Sequence, residues 1–533
     1  MFKNHPKGLL AAALTNMGER FGFYIMMAIL TLFISSKFGL SETTTGYIYS
    51  VFYASIYVLA LVGGLIADKT RNYKRTILWG LILMAVGYFI IAIPTPTPVP
   101  SLPLYLSLTC AGLLVIAFGN GLFKGNLQAI VGQMYDRKDY KDSIAKEFGI
   151  DENGKPKRDM RDAGYQLFYM FINIGGFFAP FIAIAVRNWW LKTNGFDYNA
   201  QLPELAHQYI GDQASMSTEQ LNNLTTYASQ VTLDGSPVAD LTAFSNHYLD
   251  VFNRGFHYAF IATIIAIFIS LVIYLINRNK FPDPSASKAS GKDSKGVSKE
   301  EITMAASEVK QRIYALFAVF GVVIFFWFSF HQNGQSLTLF ANDYTQMINI
   351  NLGFTTLQGA EVFQSFNPIF VVFLTPIVIG FFGWLKAKGI EISTPKKIAI
   401  GMGIAALAFA VMVIGSIGLP TASERIAAGG VPDAMRVTPW LLIGTYLILT
   451  VAELFISPLG IAFVSKVAPP KYQGIMQGGW LSATALGNQL LFIGVIFYNS
   501  IPVWATWTIF VAACLISMFT MIFMLKWLER VAK

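Results

Sequence analysis

The chain has 533 residues, of which 54% are hydrophobic and only 13% are charged. A soluble globular domain carries about 25% charged residues, so the composition excludes an ordinary soluble protein and indicates a membrane protein. The formal net charge is +9, which could suggest a nucleic-acid partner, but the distribution of the basic residues described below excludes that interpretation.

The apolar residues are grouped into 12 runs that are long enough to cross a bilayer, since a helix needs about 20 residues to span the hydrocarbon. The runs are 9–35, 46–67, 74–93, 104–131, 163–186, 256–277, 313–341, 359–385, 396–418, 440–466, 473–499 and 503–527. The first run is too long for a signal-peptide core and lacks a small-residue cleavage site. We therefore predict an all-α membrane protein with 12 transmembrane helices in two six-helix bundles.

Basic residues are concentrated on one side of these predicted helices. Of the 39 Lys and Arg residues, 31 fall on the side of the termini and only 6 on the opposite side. Because cytoplasmic loops are enriched in Lys and Arg, this bias predicts that both termini are cytoplasmic and that the chain lies in the inner membrane of a cell. The lipid bilayer is then its surrounding partner, and no nucleic acid is expected.

Two polar segments divide the chain. Segment 278–312, rich in Lys, Ser and Gly, is predicted to be a flexible cytoplasmic linker, in which 298–311 could form an amphipathic helix. Segment 187–255 falls on the outer side, and Ser217 and Gln220 have the spacing of a capping box that begins a helix. We interpret this segment as an insertion without transport chemistry. The predicted organisation is 1–186 for helices one to five, 187–255 for the insertion, 256–277 for helix six, 278–312 for the linker and 313–533 for helices seven to twelve.

Four charged residues lie well inside the apolar runs, more than three positions from either end, namely Glu19, Arg20, Lys124 and Glu453. A charge at mid-bilayer costs roughly 2.5–3.5 kcal/mol on insertion scales, so these side chains are expected to face one another or water. Further polar residues lie at similar depth in both halves: Asn16, Tyr24, Asn126, Gln128, Asn173, His331, Gln332, Asn367 and Ser457. Together they predict a central solvated pocket. The alternative is hydrogen bonding between helices, which we favour for Asn126, Gln128 and Gln332.

A glycine-rich motif ends the second helix. Gly63 and Gly64 precede Asp68, and Arg71 follows. Small residues let helices approach closely, and Asp68 can cap or pair with a neighbouring helix end. This pattern predicts a conformational latch that involves Asp68 and Arg71, and the alternative is an ordinary basic loop.

Several motifs resemble one transporter family. Residues Phe168-Tyr169, Ile172-Asn173 and Gly175 fit the Phe-Tyr-x-x-Ile-Asn-x-Gly signature of the proton-coupled oligopeptide transporters of the major facilitator superfamily. Similar matches occur on helices seven, eight, ten and eleven, at Phe326-Trp327, Asn367-Pro368, Glu453 with Ser457, and Trp480. The resemblance covers all predicted helices and excludes the insertion and the linker.

The resemblance implies uptake of di- and tripeptides by alternating access, coupled to protons, by a monomer that needs no metal or cofactor. It implies that Arg20 and Lys124 attract the peptide carboxylate and that Glu453 receives the ammonium group. Asn173 and Asn367 would bond to the peptide amides. Tyr24, Tyr57, Ser457 and Trp480 would line the side-chain pockets, and Lys124 could also pair with Glu453 across the halves as a gate.

Three positions depart from the family pattern. Asn16 stands where a Glu is usual, His331 stands where an acid precedes Gln, and Gly125 replaces a Pro, which is expected to affect only a bend. With two acids missing, the pocket balances two carboxylates against two cations without bound protons, which removes the usual reason for a proton-binding carboxyl. A histidine titrates nearer neutral pH. We therefore predict altered proton coupling, carried by Glu19, His331 or Glu453, or reduced coupling.

Other functions stay open at this point. The same fold could carry another small anion or zwitterion, such as nitrate or a modified amino acid, or work without protons as a facilitator. A non-transporting receptor or a channel is an alternative from another class. The chain has no Gly-x-x-x-x-Gly-Lys-Ser/Thr motif for ATP and no evident nucleophile–base pair or metal cluster, so we do not expect an enzyme.

Overall fold

The computed structural model describes residues 5–70, 72–150, 161–235, 238–282, 306–390, 392–469 and 473–531, without a few side chains inside these ranges. Within them, 12 helical segments are long and apolar enough to cross a membrane, which confirms the predicted number. An even number of crossings leaves both termini on one face, called the terminal face here. The opposite face, called the distal face, is formed by the connections 39–41, 93–101, 194–240, 345–359, 416–438 and 501–502.

The first half of the chain forms nine helices and the second half forms a further nine within the described residues. The N-half contains α1 Leu9–Phe38, α2 Glu42–Thr70, α3 Tyr73–Ala92, α4 Leu102–Asp136, α5 Lys138–Phe148, α6 Arg161–Thr193, α7 Leu202–Asp212, α8 Thr218–Val231 and α9 Leu241–Asn277. The C-half contains α10 Ala306–Phe330, α11 Ser336–Tyr344, α12 Phe366–Ala387, α13 Thr394–Gly415, α14 Ala422–Ala428, α15 Pro439–Val467, α16 Gln473–Gln489, α17 Leu491–Ser500 and α18 Val503–Val531. A two-stranded antiparallel hairpin, β1 Asn349–Asn351 and β2 Thr356–Gln358, lies before α12.

Helices pack mainly within their own half. In the N-half, α1 packs against α6 and α9, and α4 packs against α2 and α3. In the C-half, α13 packs against α15 and α18. The halves meet where α2 packs against α16 and α17, and where α6 packs against α12. The charged residues of the predicted site lie on α1 and α4 of the N-half and on α15 of the C-half.

Glycines set the spacing of the N-half helices. A Cβ atom at Gly63 of α2 would lie 2.1 Å from the carbonyl oxygen of Gly121 of α4, so no larger residue fits without separating the helices. Asn126 of α4 stabilises this contact, since its Nδ2 donates a hydrogen bond to the Gly63 carbonyl at 3.1 Å. The tight α2–α4 contact places Tyr57 of α2 beside Lys124 of α4.

The sixth transmembrane helix is longer than predicted. It was expected to begin at 256, but α9 begins at Leu241, where Asp240 accepts hydrogen bonds from the backbone of Thr242 and Ala243. Phe244, Tyr248 and Phe252 recur every four residues and are buried. Polar residues, among them the exposed His247 and the partly buried Asn246 and Asp250, lie between them, so the sequence of this segment does not form an apolar run. The separate part of the insertion is therefore 194–240.

Two transmembrane helices of the C-half are interrupted. The tight turn His331–Gly334 separates α10 from α11, and Leu490 separates α16 from α17. At the first break, the Asn333 carbonyl accepts hydrogen bonds from the hydroxyl groups of Thr338 and Tyr446. The predicted runs 313–341 and 473–499 pass through these polar positions, so the sequence analysis did not predict either break. Discontinuous helices are common beside transporter binding sites.

Candidate functional site

Glu19 and Arg20 of α1 form an ion pair with each other inside the N-half. Arg20 Nε lies 2.5 Å from Glu19 Oε2, and Arg20 Nη2 lies 2.6 Å from Glu19 Oε1. Asn120 of α4 donates to the same Oε1 at 2.8 Å. The side chains are 5% exposed for Arg20 and 0% for Glu19. Glu19 therefore fixes the plane of the guanidinium, and these bonds leave the Nη1 edge of Arg20 unused.

Lys124 of α4 lies on the same side of the N-half. Its Nζ is 4.7 Å from the centroid of the Tyr57 ring, a cation–π distance, and the charges of Arg20 and Glu19 act on it. The suggested ion pair between Lys124 and Glu453 is not formed in this structure. The ammonium instead lies over the Tyr57 ring, so it is available to an incoming anionic group.

Glu453 of α15 forms the anionic end of the site in the C-half. Asn367 of α12 donates to Glu453 Oε2 at 2.8 Å and to Thr450 Oγ1 at 3.0 Å. Glu453 and Asn367 are both only partly buried. The Asn367 amide thus orients one carboxylate oxygen and leaves Oε1 for another donor.

Aromatic side chains connect the two ends. The charges of Arg20 and Glu453 both act on Tyr24, so this side chain is near both ends of the site. A Cβ atom at Gly176 of α6 would lie 3.1 Å from the Tyr24 ring and 3.2 Å from the ring of Pro368, so three helices from both halves converge there. Asn173, one turn from Gly176, is 8% exposed and donates to the backbone of its own helix at Tyr169.

The remaining predicted pocket residues differ in exposure. Ser457 follows Glu453 by one turn and is partly buried. Trp480 is only 3% exposed, and a Cβ atom at Gly460 would overlap its ring. Trp480 of α16 therefore packs against Gly460 of α15 and offers little surface to a ligand.

His331 links the break in the seventh transmembrane helix to both halves. Its Nδ1 is hydrogen-bonded to Asn488 Oδ1 of α16, and its ring stacks on Trp327 at 4.8 Å. On the N-half side its ring centroid lies 4.9 Å from that of Tyr53 of α2. Since an amide oxygen only accepts, Nδ1 donates and Nε2 carries the lone pair.

The other singled-out positions are distributed as follows. Asn16 is buried, with 4% exposure, on the face of α1 that carries Glu19 and Arg20. Gly125 has open space around it, and α4 runs through it without interruption to Asp136. The proposed latch falls outside the described residues, since these include neither the side chain of Asp68 nor Arg71.

Several residues that complete the site were not identified from the sequence. Asn120 holds Glu19, and Thr450 and Asn488 hold Asn367 and His331. Asn120 stands one helical turn before Lys124 in an otherwise apolar run, and that position was the available signal. Thr450 gave no signal in the sequence, because threonine is common in transmembrane helices.

A buried ion pair joins the halves toward the distal face. Arg187 at the end of α6 pairs with Glu361, in the turn Ala360–Ser365 before α12, and both side chains are 0% exposed. Arg187 Nη2 also donates to the Gln358 carbonyl at 3.0 Å, and its guanidinium carbon lies 4.2 Å from the centroid of the Tyr198 ring. In sequence these residues appeared only as charges near helix ends.

The sequence is similar to known peptide transporters. The sequence is 29% identical over 513 residues to the peptide transporter YePEPT of Yersinia enterocolitica, covering 91% of this chain and 87% of that protein. It is 25% identical over 497 residues to the dipeptide and tripeptide permease B of Xenorhabdus bovienii, covering 91% and 86%.

Solved structures share the fold. A peptide transporter POT in complex with sulfate superposes with a TM-score of 0.68 at 22% identity, covering 100% of this chain and 96% of that chain. A POT family transporter in complex with 5-aminolevulinic acid gives 0.68 at 19% identity, covering 100% and 98%. These matches confirm the predicted major facilitator fold. The model of the POT family matches residues 74–297 and 283–506, and the chain therefore belongs to the POT family, whose members are transporters and not enzymes.

Proposed function

We propose that this chain carries di- and tripeptides across the bacterial inner membrane by alternating access. The observation that carries the proposal is the separation of charge in the site, with Arg20 and Lys124 on the N-half and Glu453 on the C-half. A peptide in solution is a zwitterion with amide groups between its ends. A site with cations at one end, a carboxylate at the other and asparagines nearby complements that chemistry.

Each end of the peptide has a partner in this proposal. The carboxylate meets the Nη1 edge of Arg20 and the Lys124 ammonium, since guanidinium and ammonium groups both form strong bonds to carboxylates. The peptide ammonium meets Glu453 Oε1. Because the two partners belong to different halves, a bound peptide draws the halves together. Contacts directed to the peptide backbone leave the side chains free to vary.

The sidedness follows from charge. Basic residues on the terminal face outnumber those on the distal face, with 31 against 6, so the terminal face is cytoplasmic and the distal face is the outer face. We expect the protein to work as a monomer, because each chain contains a complete site.

Uptake of labelled dialanine into proteoliposomes tests this function. We expect saturable uptake that trialanine inhibits by competition and that free alanine and nitrate do not. Competition by nitrate or by an amino acid would favour another small solute. Conductance that does not saturate would indicate a channel, and peptide binding without uptake would indicate a receptor.

We further propose that uptake is coupled to protons through His331. Its Nε2 has the lone pair that a proton needs, while Nδ1 is fixed by Asn488. An inward proton gradient is expected to raise accumulation of dialanine by the unaltered protein, and His331→Ala is expected to lose that gradient-dependent part while keeping exchange of peptide without a gradient.

The exposed His247 of α9 offers a matched control, and His247→Ala should respond to the gradient as the unaltered protein does. Equal uptake by the unaltered protein with and without the gradient would rule out coupling. Full gradient dependence in His331→Ala would assign the coupling to Glu453 or Glu19.

A further inference from the structure

The insertion between the fifth and sixth transmembrane helices reaches across the distal face to the other half. Helices α7 and α8 belong to the N-half, whereas α14 lies between the ninth and tenth transmembrane helices of the C-half. Helix α8 packs directly against α14. The sequence interpretation assigned no transport chemistry to this insertion, but the structure shows that it contacts the other half.

Three side chains at the start of α8, one of them from its N-cap residue Ser217, cap the end of α14. The last carbonyl groups of a helix have no partner within that helix. Ser217 Oγ donates to the Ala427 carbonyl at 2.9 Å, Gln220 Nε2 donates to the Ile426 carbonyl at 2.7 Å, and Asn223 donates to the Ala428 carbonyl. The three donors stand three residues apart, so they share one face of α8.

The backbone conformation directly after α14 permits this contact. Gly429 has a φ of +71°, and a Cβ atom there would lie 3.2 Å from Gln220 Cα. Glycine adopts the left-handed conformation without steric cost, and its lack of a side chain lets α8 approach. Gln220 also completes the capping box of its own helix with Ser217, so the same two residues begin α8 and dock it.

An ionic centre lies beside the three caps. Arg425 of α14 is 3% exposed, and its Nη2 lies 3.1 Å from Glu42 Oε1 at the start of α2 and 3.4 Å from Asp343 Oδ2 of α11. Its Nη1 lies 3.4 Å from Glu204 Oε2 of α7. Burial disfavours the charge, but the carboxylates outweigh it and hold the pKa of Arg425 well above its ordinary value. Glu42 and Glu204 belong to the N-half, so this cation binds across the halves.

We propose that the insertion is a clamp that holds the distal face closed and releases α14 each time that face opens. The inference rests on the alternating access proposed above, in which the halves rock around a central site. The three caps and the bonds from Arg425 to Glu42 and Glu204 connect one half to the other. Separation of the halves on the distal face breaks them, so the clamp stabilises the closed state and sets how often the site opens to that side.

The first test measures the distance between the halves. Spin labels at Ser101 and Asn351, exposed positions of the two halves on the distal face, are introduced after Cys110→Ser and Cys514→Ser. We expect the triple variant S217A/Q220A/N223A to increase the population with the longer distance roughly tenfold, because three hydrogen bonds of the closed state are lost. The matched control is N222A/T225A/T226A, which removes three exposed polar groups from the same helix.

The second test locks the clamp. Cysteines at Ser217 and Ala427 in the same cysteine-free chain are joined by a short bifunctional reagent that reduction cleaves. We expect the joined protein to lose more than nine-tenths of its dialanine uptake and to recover it on reduction. Undiminished uptake in the joined protein would mean that α8 and α14 move as one body, and would overturn the proposal.

The outcomes separate the clamp from the transport function. Identical distance distributions in the triple variant, its control and the unaltered chain would overturn the clamp, and melting temperatures of all three show whether the variants are folded. If the unaltered chain takes up no dipeptide, the transport proposal fails, while the distance measurement still reports on the clamp.

Discussion

The substitution Glu453→Gln is expected to lower the rate of dialanine uptake about 10- to 100-fold while the protein stays folded. A hydrogen bond to a charged group contributes about 1.5–3 kcal/mol, and 1.4 kcal/mol corresponds to a factor of ten. The glutamine loses the charge that attracts the peptide ammonium. It keeps an oxygen that can accept the bond from Asn367, so the packing of α12 against α15 is retained.

A change in the substrate provides the control for this prediction. Acetylation of the peptide amino group removes the positive charge that Glu453 would bind. The unaltered protein should therefore be inhibited far more weakly by N-acetyl-dialanine than by dialanine, and the Glu453→Gln variant should no longer discriminate between them. A variant that transports poorly but still discriminates would show that Glu453 acts on folding or gating and not on the ammonium.

The fold was predictable because the membrane restricts what a chain can do. A helix that crosses the hydrocarbon must be apolar over a given length. Twelve such helices in two groups can be arranged in few ways. The charges Glu19, Arg20, Lys124 and Glu453 stood out for the same reason, since each is costly in lipid. Their presence in one region of the structure follows from that cost, and their roles in binding remain proposals.

The structural features that the sequence did not predict depend on contacts between residues that are far apart in the chain. The capping box at Ser217 and Gln220 was predicted and is confirmed, but the docking of these residues on α14 joins positions more than 200 residues apart. Local spacing does not reveal such a contact. The break at His331–Gly334 contains the turn dipeptide Asn333-Gly334, but the partners that stabilise its backbone, Thr31 for the Gly334 carbonyl and Tyr446 for the Asn333 carbonyl, are distant in the chain.

The buried ion pair of Arg187 and Glu361 is expected to be important for the stability of the folded protein. Arg187→Met is expected to destabilise the folded protein by about 3–5 kcal/mol, because it leaves an uncompensated carboxylate in a site closed to water. Glu361→Leu should have a similar effect by leaving the guanidinium unpaired. The double variant R187M/E361L should recover most of the loss, since neither charge then remains. Thermal unfolding of the purified protein in detergent measures all three.

Recovery in the double variant is expected to be incomplete for a structural reason. Arg187 also donates to the Gln358 carbonyl of the distal hairpin, and methionine cannot replace that bond. Asn188 donates to the same carbonyl at 3.0 Å and to that of Thr356 at 2.7 Å, so the hairpin stays anchored. The exposed pair of Arg137 and Asp139, whose side chains are 42% and 65% exposed, is the matched control. Arg137→Met should change stability by less than about 1 kcal/mol. If the two single effects simply add in R187M/E361L, the charges are not coupled, and the destabilisation comes from lost packing around the Arg187 side chain.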